Sequence, residues 1–381
     1  MPLEMKNGSD IKHAIAAKAH AEGFEKVGFT RARLDEHAPH LEEWLRRGYH
    51  GEMRWMERDP ERRTDAARSL ENTHTLVCCA LNYYQGPPSS SSPMRGVVSS
   101  YARGDDYHDV LQSKLKRVAD FIETTCAVPT KLYVDTGPVL EKSYAAAAGI
   151  GWMGKHSNLL ARDGSSWFFL GEVLVPLELP LDEPVRDHCG TCARCIDACP
   201  TRAIVEPYVV DSRLCISYLT IELKGAIPRE LRAQIGDRIY GCDDCQDVCP
   251  WNRFAKKSDE ATFFPREPLA SLDLIAMLRM SRESFMAATK GSAIRRARYP
   301  GFLRNVAVAL GNSGDAAAVP ALIEALEHEE SLVRAHSAWA LGQLGNARAK
   351  DPLRTRLGRE EAESVREEMT WALERLDADL G

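Results

Sequence analysis

The cysteines constrain this chain more than any other residue type, because eight of the eleven fall within residues 189–249. The first four have the spacing C-x2-C-x2-C-x3-C and are followed by Pro200, which is the run of bacterial two-cluster ferredoxins. This close spacing lets one tight loop direct three thiolates at one cubane, while the fourth thiolate points to a second cluster. The window therefore predicts a ferredoxin-like domain.

The second half of the window completes two ligand sets. It ends in another Cys-Pro pair at residues 249–250 but has one cysteine too few, and Cys215 supplies the missing ligand from upstream. We therefore predict crossed ligation, in which each 4Fe–4S cluster draws on both runs. One predicted set comprises Cys189, Cys192, Cys195 and Cys249. The other comprises Cys199, Cys215, Cys242 and Cys245.

Zinc and disulfides explain these cysteines less well. Structural zinc sites usually pair two C-x2-C units and do not need three consecutive cysteines at this spacing. Disulfides need an oxidising compartment, whereas the N-terminus lacks an apolar leader segment and predicts a cytoplasmic protein. The longest weakly polar stretch, residues 144–154, is too short to cross a membrane. Two adjacent clusters then form a path for electrons from an external donor.

The regions around the window predict an α+β fold. Residues 13–21 and 111–125 have helical spacing of apolar positions, and residues 75–83 and 167–176 are strand-like. Helices and strands do not alternate regularly enough for a doubly wound sheet. We predict three parts: an α+β catalytic domain at 1–180, a ferredoxin-like domain at 181–260, and a basic linker with helical repeats at 261–381.

Two cofactor motifs are disfavoured in the first part. The glycines at 149, 151 and 154 match G-x-G-x-x-G, but they follow an Ala-rich helical run, which is the wrong context for a dinucleotide-binding turn. The D-x-H-x-x-G pattern that supplies a histidine ligand to some cobalamins is absent, because both Asp-x-His pairs lack the required glycine. Flavin remains an alternative on a domain of this kind.

The last third of the chain is repetitive. An Ala-Leu segment recurs about every 32 residues, ending at Leu310, Leu341 and Leu373. Proline-led apolar segments at 320–326 and 352–357 supply a second helix after the first two copies. The pattern is typical of HEAT-like helix pairs, each of which needs its neighbour to bury an apolar face.

Asp135 is the candidate for acid chemistry. It lies at the end of a short predicted strand, before a Thr-Gly-Pro turn and an apolar helix. A carboxyl group at such a position is well placed to donate a proton. The alternative is that its side chain only caps that turn. The residues alone do not choose between these two interpretations.

Further long motifs accompany the cysteine runs. They occupy residues 101–108 (YARGDDYH), 135–142 (DTGPVLEK), 151–158 (GWMGKHSN), 215–224 (CISYLTIELK) and 249–255 (CPWNRFA). Together these segments resemble the epoxyqueuosine reductase family, and the resemblance covers essentially the whole chain, including the trailing repeats.

This resemblance implies a cytoplasmic enzyme with a cobalamin, two 4Fe–4S clusters and a nitroreductase-like cobalamin-binding domain. Family members reduce epoxyqueuosine to queuosine at the wobble position of tRNA and release the epoxide oxygen as water. The acidic residue of the family's Asp-Thr-Gly-Pro motif corresponds to Asp135, which makes that residue the implied proton donor. Such a donor must be protonated when substrate is bound, so we expect burial in that state to raise the pKa of Asp135.

Five residues are candidates for contact with the corrin. Asp135 lies in the motif just described, and Arg103, Lys155 and Asn158 lie in the other matched motifs. Arg58 is a candidate from outside them. Each of these side chains, taken alone, is more often solvated or structural than ligand-binding.

A basic stretch precedes the repeats. Residues 290–304 hold five basic residues and no acidic one, in a chain of net charge −6. Phosphate contacts dominate nucleic-acid affinity and aromatic rings stack on unpaired bases, so we predict that this stretch, with Tyr299 and Phe302, meets tRNA. The alternative is a solvated helix start. The predicted tRNA contacts are Lys224, at the end of its motif, with Arg295, Arg296 and Arg298.

Two other functions remain open. A cobalamin-dependent reductase of small molecules, similar to reductive dehalogenases, shares the corrin and clusters but needs neither the basic stretch nor the repeats. An electron-transfer adaptor would use the repeats to bind a protein partner and would hold no corrin. Our leading prediction is a monomeric enzyme that acts on the anticodon stem-loop of tRNA.

Overall fold

The computed structural model describes residues 7–86, 94–266 and 272–378. Within this part of the chain there are sixteen α-helices and ten β-strands. The helices are α1 (Gly8–Ala21), α2 (Ala38–Arg46), α3 (Pro60–Thr64), α4 (Tyr107–Cys126), α5 (Glu141–Ala147), α6 (Arg194–Asp197), α7 (Ile216–Ile221), α8 (Arg229–Ile235), α9 (Asp244–Asp247), α10 (Leu274–Leu278), α11 (Arg282–Ala288), α12 (Arg298–Asn312), α13 (Val319–Ala325), α14 (Ser331–Leu344), α15 (Lys350–Leu357) and α16 (Glu363–Ala378). The strands are β1 (Lys26–Arg31), β2 (Thr75–Asn82), β3 (Val97–Val98), β4 (Lys131–Tyr133), β5 (Trp152–Met153), β6 (Leu159–Leu160), β7 (Phe168–Val175), β8 (Ile204–Glu206), β9 (Val209–Val210) and β10 (Arg238–Tyr240).

The first part of the chain is built on a four-stranded antiparallel sheet with the strand order β1-β2-β7-β4. Every residue of the apolar strand β2 is buried, because helices cover both faces of the sheet. Its side chains alternate between the two faces. Val77 and Cys79 pack with α1 and α4, whereas Leu76 and Cys78 pack with α5. The predicted strands and helices of this α+β region are confirmed.

The ferredoxin-like region is joined to the sheet region by shared secondary structure. Strand β3 pairs in parallel with β10, although one lies before and the other after the predicted boundary at residue 180. The short helices α6 and α9, which carry cysteines from the two runs, pack against each other. The two regions therefore form one continuous body around the cysteines.

The C-terminal helices form the predicted HEAT-like array. Helices α12, α14 and α16 pack side by side, and α13 and α15 pack on their outer side. The recurrent glycine after Ala-Leu has a packing reason: a Cβ atom at Gly311 would lie 2.8 Å from the Cα atom of Ala340, and one at Gly342 would lie 2.8 Å from that of Ala372. Glycine thus lets successive inner helices approach closely.

The repeats are anchored to the ferredoxin-like region by two buried polar residues. Arg304 is fully buried on α12 and donates to the carbonyl oxygens of Leu219, Leu223 and Gly225. Asn305 donates to the carbonyl oxygen of Thr220 in α7 and to that of Ile239 in β10. No helix in the described ranges is long and apolar enough to cross a membrane.

Candidate active site

The first predicted cysteine set lines one cavity of about 200 Å³. Because α6 packs against α9, Cys249 of the second run joins the thiols of the first. In the described part of the chain, no group of three or more His, Cys, Asp or Glu side chains is arranged to hold a single metal ion. The four thiols that share this cavity are those of Cys189, Cys192, Cys195 and Cys249.

Two buried donors lie beside this cavity. The indole Nε1 of Trp152, which is next to the Cys189 thiol, and the imidazole Nε2 of His156 have no oxygen or nitrogen acceptor among the described residues. Burial lowers the pKa of His156 to about 4, and its Nδ1 accepts from the backbone of Asn158, so Nε2 carries the proton. Unpaired buried donors are rare, so both fit a site whose acceptors are supplied by the inorganic sulfides of a cluster.

The second predicted set also comes together. Burial and the neighbouring thiols of Cys215, Cys242 and Cys199 raise the pKa of Cys245 well above its usual value. Four thiolates this close together repel one another and do not persist without a positive centre between them. Cluster ligands must be deprotonated, and the metal of a cluster supplies that centre. The chemistry of this donor set therefore fits a second 4Fe–4S cluster.

Asp135 lies in the turn that follows strand β4. Strand β4 ends at Tyr133, and Asp135 then adopts a left-handed backbone conformation with φ of 56°, which is uncommon outside glycine. Its Oδ2 lies 3.2 Å from Nε2 of His108, whose Nδ1 lies 2.7 Å from Oδ1 of Asp106. The Asp135 side chain is 58% exposed, so its carboxyl group is accessible from outside the protein.

In the structure the pKa of Asp135 is lowered, and not raised. Burial acts to raise it, but the hydrogen bond and charge of His108 and a hydrogen bond to Tyr107 lower the pKa below its usual value. Burial lowers the pKa of His108, but its hydrogen bonds to Asp106 and Asp135 outweigh burial and raise the pKa to about 9. At neutral pH the proton therefore resides on His108, between two carboxylates.

Lys142 links Asp135 to the second cysteine set. Its Nζ donates to the carbonyl oxygen of Ser157 and to Oδ1 of Asn158, at 3.1 and 2.9 Å. Its charge acts on Asp135 as well as on Cys245 and Cys215. Lys142 thus lies near both the carboxylate and these thiols. It was missed as a site residue, although it ends the motif that contains Asp135.

The other predicted corrin contacts lie in different surroundings. Arg58 is exposed. Arg103 is half-buried behind the second cysteine set, where its Nε donates to the carbonyl oxygen of Val98 and its charge faces Asp243. Lys155 donates to the carbonyl oxygens of Gly190 and Cys192, so its ammonium group braces the first cysteine loop. Of the four, only Asn158 adjoins Asp135, through Lys142.

The basic stretch is only partly available to a ligand. Arg295 and Arg298 are exposed, and no carboxylate of the described residues pairs with either. The expectation that Tyr299 and Phe302 stack on bases is wrong, because both are buried under the repeats. Arg304 is likewise buried as an anchor of α12 and is not a phosphate contact.

Arg296 and Lys224 form one cluster near Asp135. Arg296 pairs with Glu222 at 3.0 Å and lies close enough to Asp135 for their charges to interact. Lys224 is half-buried and donates to the carbonyl oxygen of Arg296. Burial and the nearby arginines lower the pKa of Lys224 to about 8. We call Lys224, Arg295, Arg296 and Arg298 the basic rim.

Three family models match the chain. The model described as "4Fe-4S double cluster binding domain" matches residues 188–252. The model described as "Epoxyqueuosine reductase QueG, DUF1730" matches residues 63–136, and a HEAT-repeat model matches residues 291–374.

Whole-chain relatives agree with these matches. Epoxyqueuosine reductase of Shigella dysenteriae is 45% identical over 90% of this chain and 91% of its own, and that of Escherichia coli is 46% identical over 84% and 86%. A crystal structure of epoxyqueuosine reductase with an epoxyqueuosine-modified tRNA stem loop is 31% identical, with a TM-score of 0.92 over 97% of this chain and 100% of that one. A Bacillus subtilis structure, with its catalytic aspartate loop swung out of the active site, has a TM-score of 0.90 at 31% identity over the same shares.

Proposed function

The chain belongs to the epoxyqueuosine reductase family and is an oxidoreductase, and we propose that it reduces epoxyqueuosine in tRNA with Asp135 as the proton donor. The reaction consumes two electrons and two protons, converts the epoxide to an alkene and releases its oxygen as water. The observation that carries the proposal is the exposed carboxylate of Asp135, which lies in hydrogen-bond contact with the imidazole of His108.

The chain has a 4Fe–4S double cluster binding domain, and we assign the two crossed cysteine sets as its ligands. The second set lies near Lys142, whose charge also acts on Asp135, so electrons would enter at the first set and leave from the second. We propose that a cobalamin binds beside Asp135, where Lys142 and Asn158, which are hydrogen-bonded to each other, would help to hold it. When bound, cobalamin supplies a low-potential cobalt centre for the reduction.

Proton delivery is the task of the protein itself. Opening an epoxide leaves an alkoxide that must be protonated, and Asp135 is a carboxylate at neutral pH. We propose that His108 passes its proton from Nε2 to Oδ2 of Asp135, which delivers it to the leaving oxygen. Asp106 fixes the imidazole ring through Nδ1 and keeps it positively charged before the transfer.

The basic rim is the proposed approach for tRNA. One relative has been crystallised with an epoxyqueuosine-modified tRNA stem loop. In this chain Arg295 and Arg298 are exposed, and Arg296 lies near Asp135. Phosphates held at this rim would bring the modified base of the loop to Asp135.

The loop that carries Asp135 is proposed to move. In the Bacillus subtilis relative the catalytic aspartate loop is swung out of the active site. Here the corresponding segment comprises residues 134–140 and follows β4. Its last residue is fixed by a hydrogen bond from the N–H of Leu140 to the carbonyl oxygen of Arg63. An inward loop places Asp135 against His108, and an outward loop would break that contact.

The test uses anaerobic protein reconstituted with iron, sulfide and cobalamin, a chemical reductant and tRNA that carries epoxyqueuosine. We expect the modified nucleoside to lose the mass of one oxygen atom, as measured after tRNA digestion. Protein without cobalamin is the control. Bound corrin without loss of oxygen from tRNA would favour a small-molecule reductase, and absence of any bound corrin would favour an electron-transfer adaptor.

A further inference from the structure

A buried acid lies beneath the Asp135 loop. Glu172 occupies the middle of the otherwise apolar strand β7 and has no exposed surface. It stands opposite Cys78 of β2 and Tyr133 of β4, on the face of the sheet that α5 covers. No N–H or O–H group of the described residues donates to either of its oxygens. A buried carboxylate with no donor is costly, so its presence needs an explanation.

The burial of the Glu172 carboxyl group is explained by Glu141, the first residue of α5. The carboxyl groups of Glu172 and Glu141 interact directly, and Oε1 of Glu141 accepts the backbone N–H of Asp135. Two carboxylates offer only acceptors, so a hydrogen bond between them requires one to carry a proton. Burial and the charges of Glu141 and Asp135 raise the pKa of Glu172 well above its usual value. Glu172 is therefore a neutral acid that can donate.

We propose that Glu172 and Glu141 are positioning residues that hold the Asp135 loop inward. Glu172 donates a hydrogen bond to Glu141, and Glu141 accepts the N–H of Asp135. The proposal rests on the proposed function, in which Asp135 must reach the substrate and the loop has an outward position. In this proposal Glu172 of the central sheet supports Asp135, although the two residues are far apart in the sequence.

The hydrogen bond from the N–H of Asp135 to Glu141 fixes the part of the loop that has an uncommon backbone conformation. Asp135 has a left-handed φ, and the next residue, Thr136, donates only to the local carbonyl oxygen of Val134. An uncommon backbone conformation persists only where its surroundings fix it. The N–H of Asp135 is the group whose direction depends on that conformation, and Glu141 binds this group. Loss of the carboxyl pair would therefore release the loop without touching the chemistry of Asp135.

The experiment compares Glu172→Gln with Glu172→Leu in the holoenzyme. Glutamine is a neutral donor of similar shape, whereas leucine fills the space and cannot donate. Two quantities are measured: amide hydrogen exchange of a peptide spanning residues 134–140, at one pH for all proteins, and the single-turnover rate. We expect Glu172→Gln to stay within about 2-fold of the wild type in both. We expect Glu172→Leu to speed loop exchange at least about 10-fold and to slow turnover by a similar factor.

Glu141 provides a second pair, should leucine at position 172 disturb the sheet. Glu141→Gln keeps an acceptor for the N–H of Asp135, whereas Glu141→Ala removes it, and only the alanine variant should release the loop. Wild-type loop exchange in both Glu172→Leu and Glu141→Ala overturns the proposal, as does a Glu172→Gln variant as damaged as Glu172→Leu. A fully active Asp135→Asn enzyme, with loop exchange still following the carboxyl pair, would remove the proposed proton donor while leaving the positioning role intact.

Discussion

Nε2 of His108 lies 3.2 Å from Oδ2 of Asp135, and the proton between them belongs to the imidazole. Asp106 on the other side of the ring makes this possible, because a second carboxylate stabilises the imidazolium. In the proposed mechanism Asp135 therefore receives its proton from His108 and need not be protonated beforehand.

The pH dependence of single turnover should report on His108. Two carboxylates raise its pKa to about 9, so the imidazolium is present below that pH and is lost as the pH rises through it. We expect a flat single-turnover rate below about pH 9 and a fall above it. Asp106→Asn removes one of the two carboxylates and should move this fall toward lower pH.

His108→Gln should lose the fall above about pH 9, since no imidazolium remains to titrate. It should also lower the rate at pH 7 by about 100-fold, the usual contribution of a positioned acid. Without the charge of His108, burial dominates and the pKa of Asp135 rises, so the variant should gain activity as the pH falls. A wild-type pH profile in this variant would contradict the proposed relay.

Asp135→Asn should separate a proton donor from a turn cap. Asparagine tolerates the left-handed conformation at this position and caps turns as well as aspartate, so folding, clusters and tRNA affinity should persist. We expect single turnover with pre-reduced enzyme to fall about 100-fold or more. Nearly full activity would mean that Asp135 only caps the turn.

The metal content should follow the crossed cysteine sets. Anaerobically prepared protein should hold about eight iron and eight sulfide per chain, the composition of two 4Fe–4S clusters. Cys249→Ala should damage the cluster of the first run, and Cys199→Ala that of the second, as resolved by electron paramagnetic resonance. Cys126→Ala, outside both sets, is the control. Two zinc ions with little iron would contradict the assignment.

The basic rim should govern the salt dependence of tRNA binding. Replacing the exposed Arg295 and Arg298 by Ala should weaken binding and reduce the slope of log K against log salt by up to about two, because one phosphate contact is lost for each. Arg279→Ala is a matched control, since this exposed arginine pairs with Glu324. An unchanged slope in the double variant would place the tRNA elsewhere.

The stability of the repeats should depend on Gly311. A Cβ atom there would lie 2.8 Å from the Cα atom of Ala340, so Gly311→Ala should destabilise the protein by about 1–3 kcal/mol through overpacking. Gly301 lies on the same helix with no atom within 4 Å of an added Cβ, so Gly301→Ala should be neutral or stabilising by up to about 1 kcal/mol. Chemical denaturation of both variants measures the difference.

The sequence by itself determined the features that depend on local spacing. The distances between cysteines along the chain decide which thiolates one loop can direct at a cluster. The recurrence of Ala-Leu-Gly predicted the helical array, because the same contact between inner helices is repeated at Gly311 and Gly342. A strand followed by a Gly-Pro turn was enough to single out Asp135. A lone glutamate within the apolar strand β7 was a signal that could have revealed Glu172.

Only the tertiary structure decided protonation and exposure. The pKa of Asp135 depends on His108, which α4 brings to the turn after β4, and this neighbour reverses the shift that burial alone would cause. Arg304 and Phe302 belong to a basic, aromatic stretch in the sequence, but the packing of α12 against α7 buries both. Charge and burial are sums over neighbours from distant segments, so no local pattern of residues contains them.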